Sequence, residues 1–304
     1  MDALARTLGM DPAEVRRRNY HPPFDNGATT PAGLEMDSGN YEAALDKALE
    51  LAGYERWRAE QRRRREAGDR VQLGIGLCSY TENGGLSPSK MTAALRLGAP
   101  GWGMASVRML STGAVQVVTG TSPHGQGHET TWAQIVADGL GVPLDSVEVV
   151  HGDTQSAPYG LDTYGSRSAA VGGTAVYLAC EKVLAKARTL AAHLLEAAEQ
   201  DLEFSDGAFS VAGVSGSRVT IQEVAGAAYL AADLPEGTEP GLSEEQFFDP
   251  PNFTYPFGTH VCVVEVDTDT GKVTIPEYFA VDDCGTVINP AIVDGQMHGG
   301  IAQG

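Results

Sequence analysis

The stretch Thr119-Gly120-Thr121-Ser122-Pro123-His124-Gly125-Gln126-Gly127-His128-Glu129-Thr130 most constrains how this chain can fold, because the hydrophobic period changes across it. Before it, Ala114 to Val118 reads as a short strand closing a hairpin at Ser111-Thr112-Gly113. After it, Trp132, Ile135, Val136 and Leu140 recur at helical spacing. The loop therefore opens onto a helix N-terminus, where unpaired backbone N–H groups and the positive end of the helix dipole favour an anion. Gly125 and Gly127 let a bulky ligand reach the backbone, and Gln126 between them both donates and accepts hydrogen bonds. Thr130 stands where a dinucleotide fingerprint needs its third glycine, and no Gly-Lys-Ser/Thr follows, so two common phosphate-loop signatures are excluded. What remains is either a tight strand-to-helix connection or a loop built against another ligand.

A second loop of the same kind weighs toward a ligand. Pro158-Tyr159-Gly160-Leu161-Asp162-Thr163-Tyr164-Gly165-Ser166-Arg167-Ser168 precedes the longest helical pattern, in which Val176, Cys180, Val183, Ala187, Leu190 and Leu194 line one face. Thr163, Ser166 and Ser168 supply hydroxyls and Arg167 a forked cation, a set suited to phosphate oxygens or a polar ring system. The alternative makes Ser168 a helix cap and leaves Arg167 on the surface. A third loop, Asp282-Asp283-Cys284-Gly285-Thr286-Val287-Ile288-Asn289-Pro290, starts a helix with Asn289 as cap and Pro290 at its first position, and Gln296 and Gln303 ride on that helix.

The rest of the pattern is mixed α+β, with strands packed under helices. Asp11 caps a short helix through Arg18, Tyr41 to Gly53 is amphipathic, and Tyr54 to Glu66 continues as a helix. The arginines on that last helix alternate with Glu55, Glu60 and Glu66 and read as a solvated face. Val71 to Tyr80 opens a β-rich part, Leu202 to Thr220 holds three short strands, and His260 to Val281 forms a hairpin around Asp267 to Lys272. Pro235 to Pro256 is polar and proline-rich and is expected to be a surface segment. The division expected along the chain is a helical segment 1–69, a first half 70–200 and a second half 201–304.

Forty acidic against 21 basic side chains give a net charge of -19, which argues against nucleic acid and anionic membrane as partners. The four cysteines, Cys78, Cys180, Cys262 and Cys284, form no Cys-x-x-Cys pair, and neither a signal peptide nor a bilayer-long apolar run is visible. Reduced thiols in a cytoplasmic protein are expected. The pattern is helical from Met1 and stops inside a helix at Gly304, so the stretch is expected to be a fragment.

The three loops together resemble the molybdopterin-binding large subunit of the xanthine dehydrogenase and aldehyde oxidase family. The motifs are His124-Gly125-Gln126-Gly127-His128-Glu129, then Tyr159 to Ser168, then Asp283 to Pro290 with Gly295-Gln296. The tyrosine-rich second loop is most similar to the carbon monoxide dehydrogenase-like branch. The resemblance spans essentially the whole chain and implies a molybdenum-cofactor-binding architecture. It implies a molybdenum hydroxylase that oxidises a small substrate (aldehyde, N-heterocycle or carbon monoxide) with oxygen from water, using a molybdopterin cofactor in its cytosine dinucleotide form. It also implies iron–sulfur and FAD partner subunits and a homodimer of that heteromer; no nucleic-acid partner and no membrane insertion are expected from the charge and the apolar pattern above. Carried over by residue, Gly125, Gln126 and Gly127 match one cofactor loop, Thr163, Gly165, Ser166, Arg167 and Ser168 a second, and Gln296 a third contact. The family's general-base glutamate and substrate loop match no residue here, so this stretch alone is expected to be inactive. Two other readings stand beside this one: a metal-dependent hydrolase using His124, His128, His151 and Asp153, and a non-catalytic scaffold derived from the family.

Overall fold

The structure is a computed structural model that describes every residue except Asn26, Ser87 and Pro158; Pro158, at the start of the second loop, thus lies outside the described residues. α1 (Asp2–Leu8) stops at Gly9 in the left-handed conformation. α2 (Pro12–Arg17) starts where the Asp11 carboxylate accepts from Ala13 N at 2.8 Å. β1 (Ala28–Thr29) and β2 (Glu35–Met36) form a small ladder, and α3 (Tyr41–Ala52) is capped by Asn40. α4 (Tyr54–Ala67) pairs three of its arginines with carboxylates, Arg58 on Asp11, Arg63 on Glu60 and Asp69 and Arg64 on Glu60 and Glu265.

β3 (Val71–Thr81) is followed by a short α5 (Ser89–Ala94), then β4 (Gly103–Met109) and β5 (Val115–Thr119). α6 (His128–Leu140) leads to β6 (Val147–Val150). A π-helical turn, Ser168–Gly173, runs into α7 (Thr174–Leu194). β7 (Leu202–Ser205), β8 (Ala208–Val211) and β9 (Arg218–Thr220) make an antiparallel sheet, and α8 (Ile221–Leu230) opens with a Thr220–Glu223 capping box. β10 (Leu242–Phe248), the hairpin of β11 (Phe257–Asp267) and β12 (Val273–Asp283), and α9 (Pro290–Gln303) complete the chain.

Contacts divide these elements into two compact units, Met1–Gly84 with Phe253–Thr286, and Gly85–Asn252 with Val287–Gly304. In the first unit the sheet order is β12-β11-β3, and β3 pairs with β11 along its whole length, from Thr81 opposite Phe257 to Val71 opposite Asp267. One face of that sheet is covered by helices: Leu45, Ala48, Ala52 and Tyr54 pack with Leu77 and Val261. In the second unit the order is β10-β4-β5-β6, and Val107, Met109, Val115 and Val117 face Trp132, Val136 and Leu140 of α6 and Val176, Val183 and Leu190 of α7.

The mixed α+β architecture and the hairpins are as the pattern indicates, with two differences. Residues 242–248 are not surface coil: β10 pairs with β4 from Leu242 opposite Met109 to Phe248 opposite Gly103, and Leu242 is fully buried. Its side chains alternate in and out, and the flanking prolines masked that period. The compact units also differ from the divisions expected at 69 and 200, because the long-range pairing of β3 with β11 joins residues from both ends of the chain.

Leu45 is completely buried between α3 and the first sheet. We expect Leu45→Ala to cost about 2–5 kcal/mol in urea unfolding; a loss below about 1 kcal/mol would place this helix off the sheet.

Candidate functional site

β5 and β6 run parallel, from Val115 opposite Val147 to Val118 opposite Val150, with α6 as their connection. Parallel neighbours end at the same edge, so the loop after β5 and the chain leaving β6 are delivered to one place. There the first and second loops meet through two glycines. A Cβ on Gly160 would lie 2.0 Å from the Gly120 carbonyl oxygen, and a Cβ on Gly120 would lie 2.5 Å from the Tyr159 carbonyl oxygen. Only glycine at both positions permits this approach. Two bonds fasten it: Asp162 N donates to Gly120 O at 3.2 Å, and Ser122 N donates to Asp162 Oδ1 at 2.8 Å. Asp162 holds φ at 60°, a left-handed conformation its surroundings must enforce.

The first loop presents what an anionic, elongated ligand needs. Gly127 precedes α6 with φ 73°, and no side chain caps the helix. The Glu129 N–H is met by its own carboxylate, and the other first-turn N–H groups of α6 can serve an anion. Gly125 has φ 111° and open space where a Cβ would stand. Gln126 Oε1 accepts from His124 N, which turns its oxygen into the loop and leaves its amide NH2 to donate elsewhere. Bare backbone and donors of this kind fit a phosphate-bearing cofactor.

The second loop divides into a wall and a face. Arg167 is 1% exposed, and its guanidinium donates to four backbone carbonyls: Leu86 at 2.8 Å, Asp162 at 3.2 Å, Gly101 at 2.8 Å and Trp102 at 3.3 Å. The forked cation expected to meet phosphate is therefore spent inside the loop. Burial pulls its pKa below the ordinary value, and among the described residues it makes no ion pair, so it adds positive potential without contact. Gly165 is also part of the wall, since its missing Cβ would lie 2.6 Å from Leu86 Cδ2. Ser166 is exposed with φ 53°, and its carbonyl accepts from Gly85 N at 2.9 Å. Thr163 Oγ1 bonds Ser168 Oγ at 2.9 Å and His128 Nε2 at 3.3 Å, tying the second loop to the start of α6.

α9 joins the first loop from another side. Asn289 caps α9 by accepting from Ile292 N, and its Nδ2 donates to Gln134 Oε1 on α6 at 2.7 Å. Ile292 packs where a Gly127 Cβ would stand, at 2.9 Å. Gln296 lies one turn beyond Ile292 on the same side of the helix and is exposed. Sequence reasoning missed the Gly120–Gly160 approach, the Ser122–Asp162 bond and Gln134. A glycine in each loop was the available signal for the first.

The four residues of the hydrolase reading go to separate partners. His151 Nε2 meets Glu129 at 2.9 Å, Asp153 accepts from Ser156 and Gln155, His128 holds Thr163, and His124 is 4.0 Å from Asp162. Among the described residues no group of three or more His, Cys, Asp or Glu could hold a metal ion. The Glu129 carboxyl is held below the usual carboxylate range by its own backbone N–H and then by His151. Burial lowers the His128 pKa. The four cysteines are free, and among the described residues no helix is long and apolar enough to cross a membrane.

A family model described as molybdopterin cofactor-binding domain matches residues 47–304. The carbon monoxide dehydrogenase large chain of Hydrogenophaga pseudoflava is 46% identical over 305 residues, covering 100% of this chain and 38% of that one. The nicotine 6-hydroxylase large subunit of Paenarthrobacter nicotinovorans is 38% identical, covering 100% of this chain and 37% of its own length. Among solved structures, a Cu,Mo-CO dehydrogenase in its carbon monoxide reduced state superimposes with a TM-score of 0.94 at 44% identity, over 98% of this chain and 38% of that chain. The chain thus spans about 38% of the length of the curated relatives it matches first.

Two outcomes follow for the site. Arg167→Ala leaves buried carbonyls without donors, and we expect a loss of about 3–5 kcal/mol in unfolding experiments; a loss below about 1 kcal/mol would show that the wall does not depend on it. His128 titrates below the 6.5 of an ordinary histidine, so under that pH the unfolded chain binds a proton that the folded chain resists. Stability should fall as pH drops from 6.5 toward the lowered value and level off beneath it. His128→Gln should flatten that part of the denaturation profile, and an unchanged slope would exclude His128 as its source.

Proposed function

The chain belongs to the molybdopterin cofactor-binding domain family, and on that premise we propose that its two joined loops and the start of α9 hold a molybdopterin-type molybdenum cofactor in the large subunit of a molybdenum hydroxylase. The observation that supports this reading is the Gly120–Gly160 joint. It gathers the Gly125–Gly127 backbone, the Gln126 amide and the Thr163 and Ser168 hydroxyls about one helix N-terminus. When bound, the cofactor supplies the redox chemistry, oxidising an aldehyde, an N-heterocycle or carbon monoxide with an oxygen atom that comes from water.

The chain's own residues bind and orient. The α6 N–H groups and Ser168 serve phosphate oxygens of the cofactor's cytosine dinucleotide form, Gln126 donates its amide to the pterin end, and Gln296 adds a contact from α9. Gly165 and Arg167 shape and charge the second loop from within, and Ser166 is an exposed residue of the same loop. Iron–sulfur and FAD subunits accept the electrons, in a homodimer of the heteromer working in the cytoplasm.

The test is cofactor content. The full-length protein carrying this chain, purified from a host that makes the cofactor, should hold near-stoichiometric molybdenum and a pterin by metal mass spectrometry and fluorescence. Gln126→Ala should lower both about fivefold or more while the protein stays folded. Wild-type protein with neither metal nor pterin would overturn the proposal.

A further inference from the structure

The polar chain behind the second loop has a hydrogen to spare in only one tautomer of His128. This histidine is the first residue of α6 and is 4% exposed. Its Nε2 lies 3.3 Å from Thr163 Oγ1, which lies 2.9 Å from Ser168 Oγ. Its Nδ1 is buried and has no hydrogen-bond partner among the described residues.

Thr163 and Ser168 bring two hydroxyl hydrogens. If Nε2 accepts, Thr163 gives its hydrogen to the imidazole, Ser168 gives its own to Thr163, and the pair shows a ligand nothing but lone pairs. If Nε2 donates, one hydroxyl hydrogen closes the Thr163–Ser168 bond and the other is released. One feature selects the second arrangement. An accepting Nε2 would put a buried, orphaned N–H on Nδ1, and orphaned N–H groups are rarer than under-satisfied acceptors. Burial keeps the ring neutral.

We propose that His128 is a positioning residue whose Nε2–H donates to Thr163 Oγ1, so that the Thr163–Ser168 pair offers one hydroxyl hydrogen to an anionic oxygen of the bound cofactor. The identity of that ligand rests on the cofactor reading above; the tautomer does not.

Nitrogen NMR of the labelled, cofactor-free full-length protein tests the tautomer directly, with the His128 signals assigned by their loss in His128→Gln. A pyrrole-type Nε2 with a pyridine-type Nδ1 is expected; the reverse pattern overturns the proposal even if the cofactor reading stands. The rate of molybdenum loss from the loaded protein on dilution tests the consequence. Ser168→Ala removes the hydroxyl that carries the offered hydrogen and should lose molybdenum about tenfold faster, one hydrogen bond's worth. His128→Leu takes no hydrogen from the pair and should stay within about threefold of the wild-type rate. Should His128→Leu fail to fold, Ser168→Ala decides alone. A wild-type rate in Ser168→Ala, or a His128→Leu that holds molybdenum about tenfold longer than wild type because the imidazole had been taking the hydrogen, refutes the relay. Wild-type protein lacking molybdenum would instead refute the cofactor reading and leave the nitrogen signals to decide the tautomer.

Discussion

Two backbones can approach as Gly120 and Gly160 do only where neither residue carries a side chain, and the site depends on that approach. The parallel pairing of β5 and β6 brings both loops to one sheet edge, but proximity of strand ends does not join the loops that follow. The glycine contact does, and the Asp162 bonds to Gly120 and Ser122 fix its register. Asp162 and Ser166 hold left-handed conformations that cost of order 1 kcal/mol each or more, and a packed joint can sustain them. Once the loops are joined, Thr163 reaches the start of α6 and the hydroxyls of the second loop share a space with the backbone donors of the first.

A chain with net charge -19 repels anions at long range, so an anion site on it must be made by local fields. The second unit supplies these without surface lysines. Arg167 is buried against four carbonyls and makes no ion pair among the described residues, and the start of α6 adds backbone N–H donors beside the one that the Glu129 carboxylate takes. Solvent screens such buried sources far less than surface charges. Arg167 therefore acts through structure and potential, although its guanidinium touches no part of the open face.

The longer strands and helices and the two glycine-rich loops were legible because each rests on local periodicity or local breakers, as at Val115–Thr119 and Gly125–Gly127, whereas the short α5, β1 and β2 were not. β10 was not, because the surrounding prolines and acidic residues hid a short alternation that counts only once β4 lies beside it. For the site, the residue types were legible and the directions were not. Whether Arg167 points to a ligand or to the Gly101 carbonyl depends on where residues 86 to 102 run, and no spacing within the loop encodes that. Likewise Gly165 resembles a ligand-facing glycine until Leu86 is found packed upon it. His128 enters the sequence reading as part of the first loop motif and as a metal ligand of the hydrolase alternative, and only its contact with Thr163 ties it to the second loop.

Anomalous diffraction at the molybdenum edge, from crystals of the full-length protein, addresses the central claim at atomic level. The claim predicts one molybdenum peak per chain, with continuous pterin and phosphate density running to Gln126 and the Thr163–Ser168 pair. A peak with no density against those residues, or a cofactor seated against a different part of the second unit, would contradict it.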